Sequence, residues 1–126
     1  MRVQRAVVVS CLSAIVIGCA PRRAPDELVE PRAPVTLAVT NHHWSDMAIY
    51  VLRSGQRVRI MTVVAAHSAS VVLRPELVGP GGEIRVLAYA IGGAGRYTSP
   101  RVYAAPGGTV TLSLENDLRR SSVVTW

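Results

Sequence analysis

Apolar side chains recur at every second position from Val35 onward, and turn-forming residues interrupt the pattern every several residues. In the first run, Val35, Leu37 and Val39 alternate with threonine and alanine. A period of two places successive side chains on opposite faces of a strand, whereas an amphipathic helix has a period of 3.6. The pattern therefore predicts short β-strands that bury one face each.

The segments 46–53 and 56–63 are predicted to form a β-hairpin around Ser54-Gly55. Glycine there supplies the positive φ that a two-residue hairpin loop requires. The predicted cross-strand pairs are Ile49 with Ile60 and Val51 with Val58 on one surface, and Tyr50 with Arg59 and Leu52 with Arg57 on the other.

Further strands are predicted at 70–73, 83–90, 101–103, 109–116 and 121–126, with one helical turn at 74–78. The glycine- and proline-rich breaks between them fall at 79–82, 92–95 and 106–108, and the second is predicted to be a long loop between strands. Seven or eight short strands within residues 35–126 predict an all-β fold, a small antiparallel β-sandwich with Greek-key connections.

One short segment strengthens that fold prediction. Residues 105–116 read APGGTVTLSLEN, and this run resembles the closing hairpin of small transthyretin-like and immunoglobulin-like exported modules. The resemblance implies a sandwich of that kind and implies nothing about function, because such folds carry many unrelated functions.

The amino-terminal segment has the features of an export signal. Arg2 and Arg5 precede an apolar stretch at 6–17, which is short for a span of the bilayer core. The stretch ends in Val16-Ile17-Gly18-Cys19, which resembles the bacterial lipobox. Two alternatives remain open here, an ordinary cleaved signal peptide and an uncleaved membrane anchor.

The lipobox resemblance implies a specific processing pathway. Residues 1–18 would be a lipoprotein signal peptide, and the mature chain would begin at Cys19. Cys19 would carry a thioether-linked diacylglycerol and an acyl chain such as palmitate on its amine. Each buried methylene contributes about 0.8 kcal/mol, so two or three chains form a lasting lipid anchor. Ala20 follows the cysteine, which in lipoproteins of double-membrane bacteria favours the outer membrane.

Residues 20–34 contain four prolines, mixed charges and few apolar side chains. Such a composition favours extended, polyproline-like conformations. At ~3.1 Å per residue, this linker could hold the domain up to ~45 Å from the membrane. The predicted organisation is therefore a signal peptide at 1–18, a lipidated cysteine with a proline-rich linker at 19–34, and a β-sandwich at 35–126.

Charge and cysteine usage exclude several classes of function. The formal charge of +6 falls to +4 once Arg2 and Arg5 leave with the signal peptide, and every basic residue is arginine, as in chains from GC-rich genomes. An exported protein meets little nucleic acid, so no nucleic-acid partner is expected. With Cys11 removed and Cys19 acylated, the domain has no thiol for a disulfide, a metal site or a nucleophile.

Three histidines provide a candidate metal site. His42, His43 and His67, with Asp46, are ligands that suit zinc or copper. Adjacent histidines in an extended chain point in opposite directions, however, and the segment around them is rich in ordinary turn formers. The prediction is therefore no metal and no cofactor, with metal handling kept as an alternative function.

The sequence also contains the residue types of a serine–histidine–aspartate hydrolytic triad. It would use Ser45 or Ser68 with His67 and Asp46. No nucleophile elbow accompanies these residues, and serine-rich strand connections are common. We therefore expect that the domain is not an enzyme.

The candidate binding surface combines two strands of the predicted sheet. Its members are Tyr50, Arg57, Arg59, Arg85 and Tyr89, which we call the arginine–tyrosine face. Arginine and tyrosine are enriched at protein interfaces and can bind anionic glycans or lipid headgroups. The alternative is that these side chains only cover a solvated sheet. Trp44 is expected to pack at the edge of the core, and Trp126 to cap the sandwich or contact a partner.

Together these features predict a non-enzymatic lipoprotein at the periplasmic side of the outer membrane, anchored by its acyl chains. Its sandwich would be an interaction module, an accessory subunit of an envelope assembly with a protein or anionic glycan partner. One alternative is a periplasmic small-ligand or glycan binder that uses the arginine–tyrosine face or the loop at 91–99. The other is a metal-handling protein that uses His42, His43 and His67.

Overall fold

The computed structural model describes Arg32–Trp126, and strands are the main secondary structure of this part of the chain. They are β1 (Thr36–Asn41), β2 (Met47–Arg53), β3 (Gln56–Val63), β4 (Ser68–Val72), β5 (Glu83–Ile84), β6 (Val86–Ala90), β7 (Arg96–Thr98), β8 (Val102–Tyr103), β9 (Thr109–Leu114) and β10 (Ser122–Thr125). Short 3₁₀ turns occupy Pro75–Leu77, Pro80–Gly82 and Leu118–Arg120. The predicted signal peptide, the predicted lipidation site at Cys19 and most of the predicted linker lie outside the described residues.

The strands form a small all-β sandwich, as predicted. One sheet has the order β10-β9-β1-β4, the other has the order β3-β2-β6-β7, and β5 pairs with β8. Most neighbours are antiparallel, but β1 and β9 run parallel. The sequence could not predict that pair, because two parallel neighbours are joined by a long connection rather than by a local turn.

Both four-stranded sheets bury one face against a common core. Burial alternates strictly along β1 and β9, so every second side chain is enclosed. The most fully enclosed large side chains are Leu37, Met47, Ile49, Leu73, Ile84, Leu112 and Leu114. Enclosing one such side chain contributes about 1.5–3 kcal/mol, so the alternation itself supplies the main stabilising term.

The predicted hairpin is present, and its turn has positive φ at both central residues, 51° at Ser54 and 75° at Gly55. That is the geometry of the type I′ turn, which matches the twist of the flanking strands. The pairs of Val51 with Val58, Tyr50 with Arg59 and Leu52 with Arg57 are confirmed.

The predicted pair of Ile49 with Ile60 is wrong. Ile49 faces Met61, because the register shifts between Ile49 and Tyr50 and leaves Ile60 as the extra residue of a β-bulge. The bulge places Arg59 and Thr62 close together, and Arg59 Nη2 donates to Thr62 Oγ1 at 2.7 Å.

The second sheet differs from the prediction at two places. The predicted strand 83–90 is interrupted at Arg85, so that β5 pairs with β8 while β6 pairs with β2. In addition, β7 occupies part of the segment 91–99, which was predicted to be a loop, and pairs with β6. A three-residue strand between glycines and a proline is too short to show alternation.

Candidate functional site

The arginine–tyrosine face lies on the outward side of the second sheet. Tyr50 on β2 sits between Arg59 on β3 and Leu87 on β6, and Tyr89 lies two residues further along β6. Arg85 continues the same register, since the Leu52 N–H donates to the Arg85 carbonyl at 2.8 Å. The structure therefore brings all five predicted residues to one surface.

Two tyrosine rings form the centre of this face. The rings of Tyr50 and Tyr89 meet edge to face, with centroids 5.8 Å apart and an interplanar angle of 89°. Arg57 Nη1 donates to Tyr89 Oη at 3.2 Å, and Arg57 Cζ lies 5.7 Å from the centre of the Tyr89 ring. These contacts combine a favourable ring geometry with a cation–π interaction, so the three side chains hold one another in place.

The rings and arginine stems also cover apolar residues that point away from the core. Ala48 and Leu87 are only 4% and 7% exposed, although alternation turns both outward. Long amphipathic side chains commonly shield a sheet in this way while their polar ends stay in water. The face therefore has a packed base and a charged, accessible rim.

The guanidinium groups on this face lack acidic partners among the described residues. Arg57, Arg59 and Arg85 are exposed, and none has a carboxylate of residues 32–126 within 4.0 Å. Arg85 instead donates from Nε to the Ser99 carbonyl at 3.2 Å. The three ion pairs in this part of the chain join Arg74 to Glu76, Arg101 to Glu83 and Arg119 to Asp117.

The sequence reasoning missed a fourth arginine. Arg96 lies on β7 directly opposite Tyr89 and is exposed. It was missed because β7 was not predicted. The usable signal was the triplet Arg96-Tyr97-Thr98, in which Tyr97 packs partly against the core while its neighbours face water.

The histidines do not converge. His42 is exposed, whereas His43 is buried, and its ring Nδ1 accepts a hydrogen bond from the Ser45 N–H at 3.0 Å. Within residues 32–126, no three histidine, cysteine, aspartate or glutamate side chains lie together as metal ligands would. The metal-handling alternative therefore has no converging site in this part of the chain.

The residues of the hypothetical triad have other partners. Asp46 Oδ1 accepts from the Ala65 N–H at 2.9 Å, and His67 Nδ1 lies 2.8 Å from the Ala65 carbonyl oxygen. Ser68 Oγ donates to Thr40 Oγ1 at 3.3 Å. These contacts shape the turn between β3 and β4, and they do not form the serine–histidine–aspartate chain of hydrogen bonds that a triad needs.

Both tryptophans are exposed, Trp44 by 73% and Trp126 by 78%. The prediction that Trp44 packs at the edge of the core is therefore wrong. The buried member of its loop is the preceding residue, His43, and the Trp44 indole lies against the His43 ring at the surface of this bend.

Two cavities lie at opposite ends of β1. An apolar cavity of about 240 Å³ lies where the chain enters the sandwich, and its walls include Val35, Leu73, Val78 and Ala104. A groove of about 330 Å³ lies among the loops at the other end, and its walls include Trp44. Among residues 32–126, no helix is long and apolar enough to span a membrane.

Comparison with known proteins assigns no family. No family model matches the chain, and no curated protein matches it. One matching solved structure is the crystal structure of a Gram-negative toxin, which is 15% identical over 74% of this chain, with a TM-score of 0.38. The match spans 22% of the toxin chain, and a likeness at that score carries no argument about fold or function.

Proposed function

We propose that this chain is an envelope lipoprotein whose β-sandwich is a non-enzymatic interaction module. In this proposal the arginine–tyrosine face binds an acidic surface on a partner protein, and the chain is an accessory subunit of an envelope assembly. The observation that carries the proposal is a cluster of exposed arginines without carboxylate partners among the described residues, set on an interlocked tyrosine pair.

The shape of the face favours a protein over a small ligand. Small molecules bind mainly in concave sites, and none of the five face residues lines the two cavities described above. A four-stranded sheet face instead suits an interface in which arginine and tyrosine act as anchors. Because Tyr50 and Tyr89 are already packed together, little side-chain freedom would be lost on binding.

Sequence features support the proposed address. The lipobox at 16–19 provides a lipid anchor, and Ala20 favours the outer membrane. The linker at 20–34 is long enough to keep the face clear of the lipid headgroups on the periplasmic side. An arginine-rich face held near a membrane would meet acidic partners at a high effective concentration.

Lipidation can be tested directly. Cells that express the full chain are grown with an alkyne-bearing palmitate analogue, and the mature amino terminus is analysed by mass spectrometry. We expect label and diacylglycerol on Cys19, with both lost in Cys19→Ser. Mature protein with an unmodified Cys19 contradicts the proposed anchor.

The interface can be tested with photo-crosslinking in living cells. A photoreactive amino acid is placed at Thr98, an exposed position on the second sheet opposite Leu87, or at Ser70, an exposed position on the first sheet. We expect a defined protein adduct from position 98 and none from position 70. Arg57→Glu with Arg85→Glu should lower the yield of the adduct about tenfold or more.

Two outcomes count against this interface. The first is an equal crosslink from both positions. The second is a crosslink from position 98 that survives both charge reversals. Selective retention of the protein on an anionic polysaccharide, with no protein adduct, would replace the protein partner with a glycan.

A further inference from the structure

Three loops meet at the end of the sandwich where β1 stops. They are the connections β1–β2 (residues 42–46), β6–β7 (residues 91–95) and β9–β10 (residues 115–121). Together they line the open groove of about 330 Å³, which we call the loop groove. Its volume lies in the lower part of the range of small-molecule sites. Arg96 at the edge of the arginine–tyrosine face also lines this groove, but none of the five residues that define the face does, and the inference goes beyond the function proposed above.

One wall of the loop groove is an exposed indole held by a buried neighbour. The Trp44 ring leans on the His43 ring, with centroids 4.6 Å apart and an interplanar angle of 37°. His43 is itself fixed, since its N–H donates to Asn41 Oδ1 and its Nδ1 accepts from the Ser45 N–H, both at 3.0 Å. Trp44 is therefore presented to solvent on a rigid support.

Asn41 ties this loop to the end of β3 in the second sheet. Its side-chain amide Nδ2 lies 3.0 Å from the Ser45 carbonyl oxygen, and 3.1 and 3.2 Å from those of Val63 and Val64. Asn41 is 1% exposed, so these contacts are shielded from water. An aromatic ring that is fixed before binding loses little conformational entropy when a ligand stacks on it.

The opposite wall depends on a close approach at Gly95. A Cβ at position 95 would lie 2.9 Å from Leu118 Cδ1, so the missing side chain lets the β6–β7 loop pack against the 3₁₀ turn. The Ala90 N–H donates to the Gly95 carbonyl at 2.9 Å and closes that loop. This wall is therefore built from backbone and small residues, which leaves room beside Trp44.

The rim of the loop groove carries hydrogen-bonding groups of both kinds. Asn116, Asp117 and Arg96 line it. Arg119 donates to the Asp117 carboxylate at 3.1 Å, and this contact lowers the pKa of Asp117 and keeps it ionised as an acceptor. The rim thus offers donors and acceptors next to an aromatic surface.

We propose that the loop groove binds a pyranose ring of a neutral oligosaccharide, stacked on Trp44. A pyranose presents an apolar C–H face and a rim of hydroxyl groups that both donate and accept hydrogen bonds. The Trp44 indole can stack on the apolar C–H face, and Asn116, Asp117 and Arg96 can form hydrogen bonds with the hydroxyl groups. Asp117 pairs with Arg119 on that side of the rim, and its carboxylate can accept from sugar hydroxyl groups but repels an anionic group.

The test uses the fact that the chain contains two tryptophans. In full-length Trp126→Phe protein, Trp44 is the remaining indole, and its emission reports directly on the loop groove. The probes are N-acetylchitohexaose, cellohexaose and mannohexaose. We expect at least one of them to shift the Trp44 emission in a saturable way at millimolar concentrations.

A matched pair of variants then distinguishes binding in the loop groove from binding elsewhere on the surface. Trp44→Ala and Trp126→Ala each remove an indole of similar exposure, so neither should affect folding. We expect Trp44→Ala to weaken calorimetric binding of the active oligosaccharide about tenfold or more, and Trp126→Ala to leave it unchanged. The proposal is overturned by a flat titration with all three probes, or by equal affinities of the two variants.

Discussion

The outward faces of the two sheets follow the same alternation but carry different side chains. The first sheet exposes a hydroxyl face that consists of Thr36, Ala38, Thr40, Ser68, Ser70, Val72, Thr109, Thr111, Ser113, Ser122 and Val124. None of these side chains is charged. The second sheet exposes the arginine–tyrosine face, with Arg96 at its edge and no carboxylate of the described residues on its guanidinium groups.

Folding requires that the outward side chains be tolerated by water, but it does not specify which polar or charged residues they are. Alternation needs an outward side chain that water tolerates, and serine, threonine and arginine all satisfy that need. A compositional bias toward arginine acts on the whole chain, so it does not explain why one face has four arginines and the other has none. The clustering is what the proposed interface requires.

The largest loss of stability should come from substitutions in the core that the two sheets share. Ile49→Ala on the second sheet and Leu112→Ala on the first each remove a fully enclosed side chain. Each should lower the free energy of unfolding by about 2–5 kcal/mol, because a cavity replaces buried methyl groups. Urea unfolding followed by circular dichroism measures this loss. Val124→Ala, on the exposed side of β10, is the control and should change stability by less than about 0.5 kcal/mol.

A loss below about 1 kcal/mol in either core variant would show that its sheet does not contribute to a common core. The two sheets would then differ on their inward faces as well as on their outward faces.

A smaller loss of stability is expected from a substitution on the outward face of the second sheet, and it should exceed the loss from a substitution on the outward face of the first sheet. Tyr89→Ala removes the ring that contacts Tyr50 and the hydroxyl that accepts from Arg57, and it exposes more of the apolar sheet surface around Ala48, which lies opposite Tyr89. We expect a loss of about 1–3 kcal/mol from the lost contacts and the exposed apolar surface. Thr111→Ala, at the centre of the hydroxyl face, should cost less than about 0.5 kcal/mol. Equal urea midpoints for the two variants would contradict the packed base of the arginine–tyrosine face.

The smallest expected change in stability comes from the ionisation of a tyrosine on the inward side of the second sheet. Burial raises the pKa of Tyr97 above its usual value of 10.0. The folded protein then binds more protons than the unfolded chain at alkaline pH, so the free energy of unfolding falls as pH rises through 10. Tyr97→Phe should remove the late part of the tyrosinate absorbance and flatten this decline. Tyr50→Phe, on the outward side, is the control, and an unchanged late component in Tyr97→Phe contradicts the prediction.

Much of the fold and part of the candidate site could be predicted from residue order. The period of two identified the buried side of β1 and β2, and Ser54-Gly55 located the hairpin turn. The same period placed Tyr50 and Arg59 opposite each other. Arg96 was not predicted, because its strand is three residues long and is stabilised by pairing with β6 rather than by its own pattern.

The sequence by itself determined which side of the longer predicted strands faces the core, because alternation is a local property of the chain. Only the tertiary structure decided which strands outside the β2–β3 hairpin are neighbours, where the bulge at Ile60 shifts the register, and that Trp44 lies in water. Those outcomes depend on contacts between distant residues. Asn41 reaches the Val63 carbonyl 22 positions away, and β1 pairs with β9 across most of the domain. No local window of sequence contains both partners of such a contact.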